Sequence, residues 1–571
     1  MVAPKAVNLL VFRETRERVS TRTLVDELVR DLEKVDECAR DPEKTLNALI
    51  RAGELECGLR DASSAAADNL AAVTDWLANM LIGPQRRQDV RSCIANLVAS
   101  PVPDTITVSP PEGFAYYALH PLDFAKSAAQ LDVPASAVVV GIRSIGTVLS
   151  AAAKAALEQR GTATTRITVR PTGHPYDRVT EFSPGQRRWL NEQKQRGSKF
   201  VVVDEGPGLS GSSFLSVGEA LLRQGVHSDQ IIFMGTRKPE NLCSRDAEAR
   251  SRKFQWTTVQ GDFYRGDDRQ FLSGGTWRTF CFENDTDWPA SWTQMERLKF
   301  LSPDRKHLLK FEGLGRFGER ANQRAICIAE AGFGPVAERA GDGLLSYEFI
   351  DGKPLRASDV SLPILEQMAR YCAFRTSEFR VNAPLGATAE MTRFNCAQEF
   401  RVDLPLPDSA WETTRPVIVD GRMQPQEWIA GKNGTILKVD AAAHGDDHFF
   451  PGPTDIVWDL AGSIVEWNLD KDAADFLVSR YAQLSGDNPR ARMAGFLLAY
   501  GVFRLSYCRM AENATQQPDE RMRLRRAYEF YRARVVRELA KLPTPERTST
   551  SSEERGVRAS GGSSSGGASA A

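Results

Sequence analysis

"FVVVDEGPGLSGSSF", residues 200–214, is the stretch on which the reading of this chain turns. Phe200, Val201, Val202 and Val203 form an apolar, β-branched run, which predicts a buried parallel strand. Gly206, Pro207, Gly208 and Gly211 end that strand in a turn. From Phe214 the sequence "FLSVGEALLRQG" places apolar residues at helical spacing, with Gly225 as C-cap. Strand, glycine-rich loop and helix follow in that order. Free N–H groups at the helix start favour an anion in the loop.

The flanking residues narrow the choice of anion. Gly206 and Gly211 have the G-x-x-x-x-G spacing of an ATP-binding P-loop, but Ser212 follows where that loop needs Lys to reach the phosphates. Asp204 and Glu205 end the strand. They would repel a polyphosphate unless they serve sugar hydroxyls or hold a cation. A ribose 5-phosphate unit fits both halves of the motif. The acids take the hydroxyls and Mg2+, and the Ser/Gly loop takes the phosphate. An ordinary strand-to-helix turn with its acids in solvent is the plain alternative.

Outward from this motif, the 571 residues are 42% hydrophobic and 26% charged, an ordinary globular composition too long for one core. A net charge of -1 excludes a global electrostatic case for nucleic acid or an anionic membrane. Nine scattered cysteines without C-x-x-C predict reduced thiols in a cytoplasmic protein. The first residues, "MVAPKAVNLLVFRETRERVS", read as neither signal peptide nor membrane span.

The expected fold class is α/β multidomain. Residues 1–110 carry helical periodicity, as in "TLVDELVRDLEKVDECA", and "SPVPDTITVSPPEGF" marks a boundary. Residues 111–290 alternate strand and helix signals ("AVVVGI", "GTVLSAAAKAALEQ", "TRITVR", "KFVVVD"), which predicts a parallel sheet with helices on both faces. Residues 291–542 begin with a hairpin-like pair, "MERLKFLS" and "KHLLKFEG", and continue mainly helical as an α+β, two-lobed unit. The Ser/Gly-rich stretch 543–571 is expected to be disordered.

Residues 112–282 resemble a type I phosphoribosyltransferase domain, in which a strand ending in acids leads into a Thr/Ser/Gly loop for a 5′-phosphate. "VVVDEGPGLSGSS" fits that pattern, and "VVVGIRSIGTVLSAAAKAAL" at 138–157 resembles the family's pyrophosphate-contacting strand and loop. The resemblance implies catalytic Asp204, Glu205 and Arg143. It implies phosphate binding by Gly208, Ser210, Gly211, Ser212, Ser213, Ser144 and Gly146. The implied ligand is phosphoribosyl pyrophosphate or a ribonucleotide, with Mg2+. Anchored on Asp204 the loop is one residue long; anchored on Glu205 the length fits, but Gly206 replaces the second acid. Both registers stay open. In "TVRPTGHPYDR", Arg170, His174 and Arg178 either close over pyrophosphate or form a solvated basic loop. Phe114, Tyr116 and Tyr117 either stack on a base or belong to the core.

Residues 296–542 resemble the aminoglycoside phosphotransferase-like branch of the kinase fold. The resemblance implies ATP, a small-molecule acceptor, Lys310 as the nucleotide lysine and Glu319 as its partner. "VIVDGRMQPQEWIAGKNGTILKVD" aligns with the catalytic loop, and "DIVWDLAG" with the family's Asp-Leu-Ala helix through Asp459. Where the family has H-G-D-x-x-x-x-N, this chain has Asp420, Gly421, Arg422 and Glu427. Arg422 stays protonated and cannot act as a base. Glu427 and Asp440 are the implied metal ligands. A second register on His444, Gly445 and Asp446 fails on spacing, since Pro451 falls at the Asn position. His444 and His448, four apart, could share a metal with Asp446 or Asp447 if helical. A polar loop is the alternative, as is a set of acids beside nucleotide phosphates. Two functions follow: a bifunctional transferase, or a nucleotide-sensing protein whose kinase-like half is inactive.

Overall fold

The computed structural model describes residues 16–37, 41–83, 90–174, 176–208, 210–239, 242, 245–265, 268–382 and 385–542. The stretch expected to be disordered, 543–571, lies outside them. The chain opens with strand β1 (Glu17–Ser20) and helices α1 (Thr21–Glu37), α2 (Pro42–Asp61), α3 (Ala66–Ile82) and α4 (Val90–Ala99). Strand β2 (Thr105–Val108) returns antiparallel to β1 and closes the helical region at its base. Helix α2 starts sharply because the Asp41 side chain accepts from the N–H groups of Glu43 and Lys44, with Pro42 in the first turn.

Two short helices, α5 (Glu112–Ala115) and α6 (Pro121–Ala128), lead into the alternating segment. It comprises β3 (Ser136–Ile142), α7 (Gly146–Gln159), β4 (Ala163–Val169), the hairpin β5 (Thr172–His174) and β6 (Asp177–Val179), α8 (Pro184–Gln195), β7 (Lys199–Val203), α9 (Ser212–Arg223), β8 (Ile231–Gly235), α10 (Arg245–Ser251) and β9 (Gln255–Thr258). The five-stranded sheet has the order β4-β3-β7-β8-β9, and every neighbouring pair is parallel. The chain winds from β3 out to β4, then crosses back to β7. The order therefore reverses between β3 and β7, the position where open α/β sheets hold ligands.

Alternate strand residues feed two cores. Val138, Val140, Phe200, Val202 and Phe233 pack with Phe214 and Leu215 of α9 and Leu190 of α8. Val139, Val201, Val203, Ile232 and Met234 pack with α7 and with the helical region. That second core runs without a break from Leu28, Leu49 and Leu70 through Leu149 into the sheet. Close approach needs small residues: a Cβ on Gly53 of α2 would lie 2.3 Å from Val148 of α7.

Next come β10 (Gln270–Phe271), α11 (Arg278–Cys281), β11 (Lys299–Leu301), β12 (His307–Phe311), α12 (Gly315–Glu330), β13 (Ala337–Gly341) and β14 (Leu344–Glu348). They build an antiparallel sheet in the order β10-β11-β12-β14-β13, so its edge strand lies some way before residue 291. The hairpin signal is present as β11 paired with β12. The rest comprises β15 (Gly352–Pro354), α13 (Leu362–Glu378), α14 (Thr388–Phe400), β16 (Trp428–Gly431), β17 (Ile436–Lys438), α15 (Val457–Glu466), α16 (Lys471–Ser485), α17 (Met493–Ala514) and α18 (Pro518–Leu539). A core rich in aromatic side chains, including Trp428, Trp458, Trp467 and Tyr500, binds these helices together. Among the described residues, no helix is long and apolar enough to cross a membrane.

A buried ion pair fastens the start of this unit to its last helix. Arg278 Nη2 donates to Glu520 Oε2 at 2.8 Å, and Ser291 N donates to Glu520 Oε1 at 2.8 Å. Both partners are nearly inaccessible. Removing one leaves the other charged and buried, which costs about 3–5 kcal/mol. Glu520→Ala is expected to lower unfolding free energy by about that much in urea titration. A loss below about 1 kcal/mol, the range of exposed pairs, would show that water reaches the pair.

Candidate functional site

The C-terminal ends of β3 and β7 bring two loops together. At the end of β7, Glu205 N donates to Asp204 Oδ1 at 2.9 Å. Thr236 fixes the backbone beneath, its N and Oγ1 each donating to Glu205 O at 2.8 Å. Both acids are half-buried. Burial pushes Asp204 up to about 7, against the opposing effects of the Glu205 N–H bond and of Arg170 and Arg178. Burial, then the charges of Asp204 and Glu112, push Glu205 up to about 8, although Arg237 and the Gly113 N–H oppose this. Among the described residues neither carboxyl has an ion-pair partner, so the pair fits a cation or ribose hydroxyls.

Beyond them the chain turns through Gly208 and Gly211, at φ of 60° and 67°, a left-handed conformation that glycine adopts without penalty. Gly211 N bonds Pro207 O at 2.8 Å and the helix α9 starts at Ser212. Ser210 Oγ accepts from Ser212 N at 3.3 Å and contacts Ser212 Oγ at 3.0 Å. Ser213 follows in the first turn, its carbonyl accepting from Ser216 Oγ. This is the expected strand, loop and helix, with hydroxyls and helix N–H groups gathered at one end.

The β3 loop carries Arg143 and Ser144, joined by a cis peptide. Arg143 Nη1 donates to Asp61 Oδ1 at 2.6 Å, and Arg170 Nη2 donates to Asp61 Oδ2 at 2.5 Å. Arg170 also donates to the Arg143 carbonyl at 3.0 Å. Burial alone would raise Asp61, but hydrogen bonds and charge from the two guanidiniums hold it below the usual carboxylate range. Asp61 was not anticipated. Its one signal is an acid at the C-terminal end of α2, where the helix dipole disfavours negative charge. Gly146 serves packing: a Cβ there would lie 2.7 Å from Val203 O, so glycine is what lets α7 cross the end of β7. In the hairpin, His174 and Tyr176 are exposed and Arg178 bonds Pro171 O at 3.2 Å.

The aromatic run before α6 is largely core. Phe114 is inaccessible and Tyr116 nearly so. Tyr116 Oη donates to Asp446 O at 3.1 Å, and Tyr117 Oη meets His448 Nε2 at 2.8 Å. Leu314 N donates to Phe114 O at 2.8 Å. Residues 112–117 therefore form a strap from Glu205 to the second cluster of charged residues.

That cluster is built on the 420–422 loop. Asp459 of α15 accepts from Asp420 N at 2.8 Å and Gly421 N at 3.0 Å. Burial and the Asp420 charge push Asp459 up to about 6. The clamp marks 420–422 as the fixed loop of this cluster. The competing His444–Gly445–Asp446 segment is a short 3-10 turn, and a Cβ on Gly445 would lie 2.1 Å from Val419 O. Asp446 pairs with Arg324 at 2.6 Å. His444 and His448 diverge, the first toward Asp440 and the second toward Tyr117, so the shared-metal arrangement is not formed.

Lys310 Nζ contacts Asp440 Oδ1 at 2.5 Å and Glu312 Oε1 at 2.9 Å. The expected Glu319 partner is therefore replaced by Glu312. Arg316 ties α12 to Glu54 at 2.6 Å, and Glu319, on the same helical face, lies toward Glu43. Glu312 was discoverable, since residues two apart on an extended strand share a face. Asp440 has a φ of 56°, a conformation uncommon outside glycine. Burial would raise its pKa, but Lys310 and His444 hold it well below the carboxylate range. Arg422 lies over the Tyr507 ring, 5.3 Å from its centre.

The implied metal ligands are already engaged. Lys438 Nζ, wholly inaccessible, lies 3.0 Å from Glu427 Oε2 and 3.3 Å from Asp420 Oδ2. Asp420, Glu427 and His444 offer ligand atoms within 4.8 Å of one another, a set suited to a divalent ion but for this ammonium. A divalent ion about 4 Å from Nζ would meet a repulsion of about 8 kcal/mol at an effective dielectric of about 20. Glu427 lies beside Lys438 and Asp440 beside Lys310, so each implied ligand is paired with a lysine.

Asp204 and Glu205 ionise near 4 in an unfolded chain and near 7 and 8 when folded. Their cost to folding is absent below about pH 4, grows as pH rises, and is complete above about pH 8. Asp204→Asn with Glu205→Gln is therefore expected to raise Tm by several degrees at pH 9 and to leave it unchanged at pH 4. A pH-independent difference in calorimetry would separate the effect from ionisation.

No protein-family model matches the chain, and no curated protein does. Solved structures similar to it include a choline/ethanolamine kinase family protein from Mesorhizobium loti, 15% identical over 43% of this chain and 88% of that one, with a TM-score of 0.29. The choline kinase LicA from Streptococcus pneumoniae is 14% identical over 42% of this chain and 90% of that one, with a TM-score of 0.29. An aminoglycoside phosphotransferase from Alicyclobacillus acidocaldarius is 12% identical over 43% of this chain and 88% of that one, with a TM-score of 0.28. Similarity at this level fixes neither activity nor substrate.

Proposed function

We propose that the chain binds a phosphorylated ribose, as phosphoribosyl pyrophosphate or a ribonucleotide, at the sheet reversal, and an adenine nucleotide in the 420–444 cluster. The observation that carries the first part is the meeting of the Asp204–Glu205 pair and the Ser210–Ser213 helix start beside Arg143, at the one point of the sheet where strand order reverses. In this reading the helix start and serine hydroxyls hold the 5′-phosphate. Asp204 and Glu205 orient the ribose hydroxyls. They would also hold Mg2+, which when bound screens pyrophosphate charge. Arg143 and Arg170 take the pyrophosphate, for which guanidinium geometry is suited. The reaction class is transfer of, or to, a phosphoribosyl group.

A second reading applies to the C-terminal half, and Arg422 favours it. A permanent cation stands at the position where a small-molecule kinase needs a base, and losing a positioned base costs about 10²–10⁴ in rate. Lys310 remains suited to nucleotide phosphates. That half then senses or holds nucleotide with little turnover, adjacent to the first site through the Tyr116 and Tyr117 strap.

Titration calorimetry with phosphoribosyl pyrophosphate and Mg2+ is expected to show binding, weakened at least about tenfold, a loss of about 1.4 kcal/mol, in Asp204→Asn with Glu205→Gln. Equal affinity in the double variant would remove the ribose assignment. For the other half, Lys310→Ala is expected to abolish ATP binding with the fold retained by circular dichroism, and Arg422→Ala to weaken it. Brisk ATP turnover on a small hydroxylated acceptor, unaffected by Arg422→Ala, would overturn the sensing reading and make Asp446 the candidate base.

A further inference from the structure

We propose that Lys438 is a built-in cation filling a divalent-metal position, so that the C-terminal site accepts its anionic ligand without a metal. Three observations converge. Asp420, Glu427 and His444 present ligand atoms within 4.8 Å of one another, a donor set of two carboxylates and an imidazole. Lys438 Nζ lies between the two carboxylates, 3.3 Å from Asp420 Oδ2 and 3.0 Å from Glu427 Oε2, with a third bond to Val439 O at 2.9 Å. His444 Nδ1 is buried without a hydrogen-bond partner and faces Asp420 Oδ1 at 3.9 Å, leaving one ligand position of the set unused. An ammonium supplies one positive charge and three donors in place of a dication. Being covalently attached, it needs no free ion and cannot be removed by chelation.

The placement is enforced by the fold. Lys438 ends β17, whose pairing with β16 sets Lys438 opposite Trp428, one residue after Glu427. Tyr371 Oη donates to the same oxygen, Asp420 Oδ2, at 2.6 Å and helps fix that carboxylate. The lysine is therefore held in position before any ligand arrives.

The test uses the full chain in the Asp204→Asn, Glu205→Gln background, which removes the first site as a metal ligand set. Mn2+ titrations followed by electron paramagnetic resonance are expected to show no binding that Glu427→Gln abolishes. Lys438→Met is expected to gain one Mn2+ site, lost again with Glu427→Gln, and a metal-dependent rise in Tm. Should Lys438→Met not fold, Lys438→Gln carries the same titration. Mn2+ bound through Glu427 with Lys438 intact, or no gain in a folded Lys438 variant, overturns the proposal. Its second half rests on the nucleotide reading and is tested separately. ATP affinity with Lys438 intact is expected to agree within about threefold in EDTA and in Mg2+, and a tenfold dependence on Mg2+ overturns it. Absence of ATP binding under both conditions removes the nucleotide reading and with it the metal-free ligand claim, while the Mn2+ titrations still decide whether Lys438 fills the cation position.

Discussion

A charge taken out of water must find an opposite charge inside the protein, and this requirement organises the chain from α2 to α18. Arg166, in the middle of β4, is met by Glu56 of α2 at 2.9 Å and Asp75 of α3 at 2.5 Å, which docks the helical region on the sheet. Arg316 of α12 reaches Glu54 at 2.6 Å and brings the antiparallel sheet against the same helix. Arg375 lies 3.9 Å from both Asp420 and Asp459 and donates to the carbonyls of Ile418 and Ala441. Asp204 and Glu205 stand apart from this pattern. Half-buried and, among the described residues, without an opposite charge in contact, they carry pKa values raised by burial.

The parallel sheet was legible because its strands are short β-branched runs separated by helices with regular apolar spacing, and because the glycines after Val203 are needed by the turn. The helix start at Ser212 was legible for the same reason. Residue types showed less where tertiary contact decides. Lys438 sits in "TILKVD" as any strand lysine does, and nothing local marks it as inaccessible. Glu319 was named as the lysine's partner because it occupies the helix after the lysine strand, yet Arg316 on that helix is tied to Glu54 of the N-terminal helices. Gly146 looked like a ligand-approach glycine, and Gly445 like the middle of a catalytic-loop motif. Both instead face a backbone carbonyl, which a single sequence does not reveal.

The strap 112–117 is held at both ends and in the middle. Gly113 N supports Glu205, Phe114 O holds Leu314 at the start of α12, and Tyr117 touches His448. Its central residue, Phe114, has no exposed surface, so the strap moves only with the cores on either side. A displacement at Glu205 is thereby coupled mechanically to the position of the 446–448 turn. Two chemically different clusters share one stiff connector.

Asp61 gives the first cluster a further property. Arg143 and Arg170 share one carboxylate that belongs to the chain, which offsets one of their two charges. An incoming anion must outcompete a tethered rival, whose effective concentration is roughly millimolar or above. A monoanion such as chloride offers one charge and no second contact, and gains little by the exchange. In the function proposed above, a pyrophosphate group would engage both guanidiniums at once and free the end of α2. On that reading the resident acid would set a selectivity threshold by valence, rejecting abundant small ions without any steric gate.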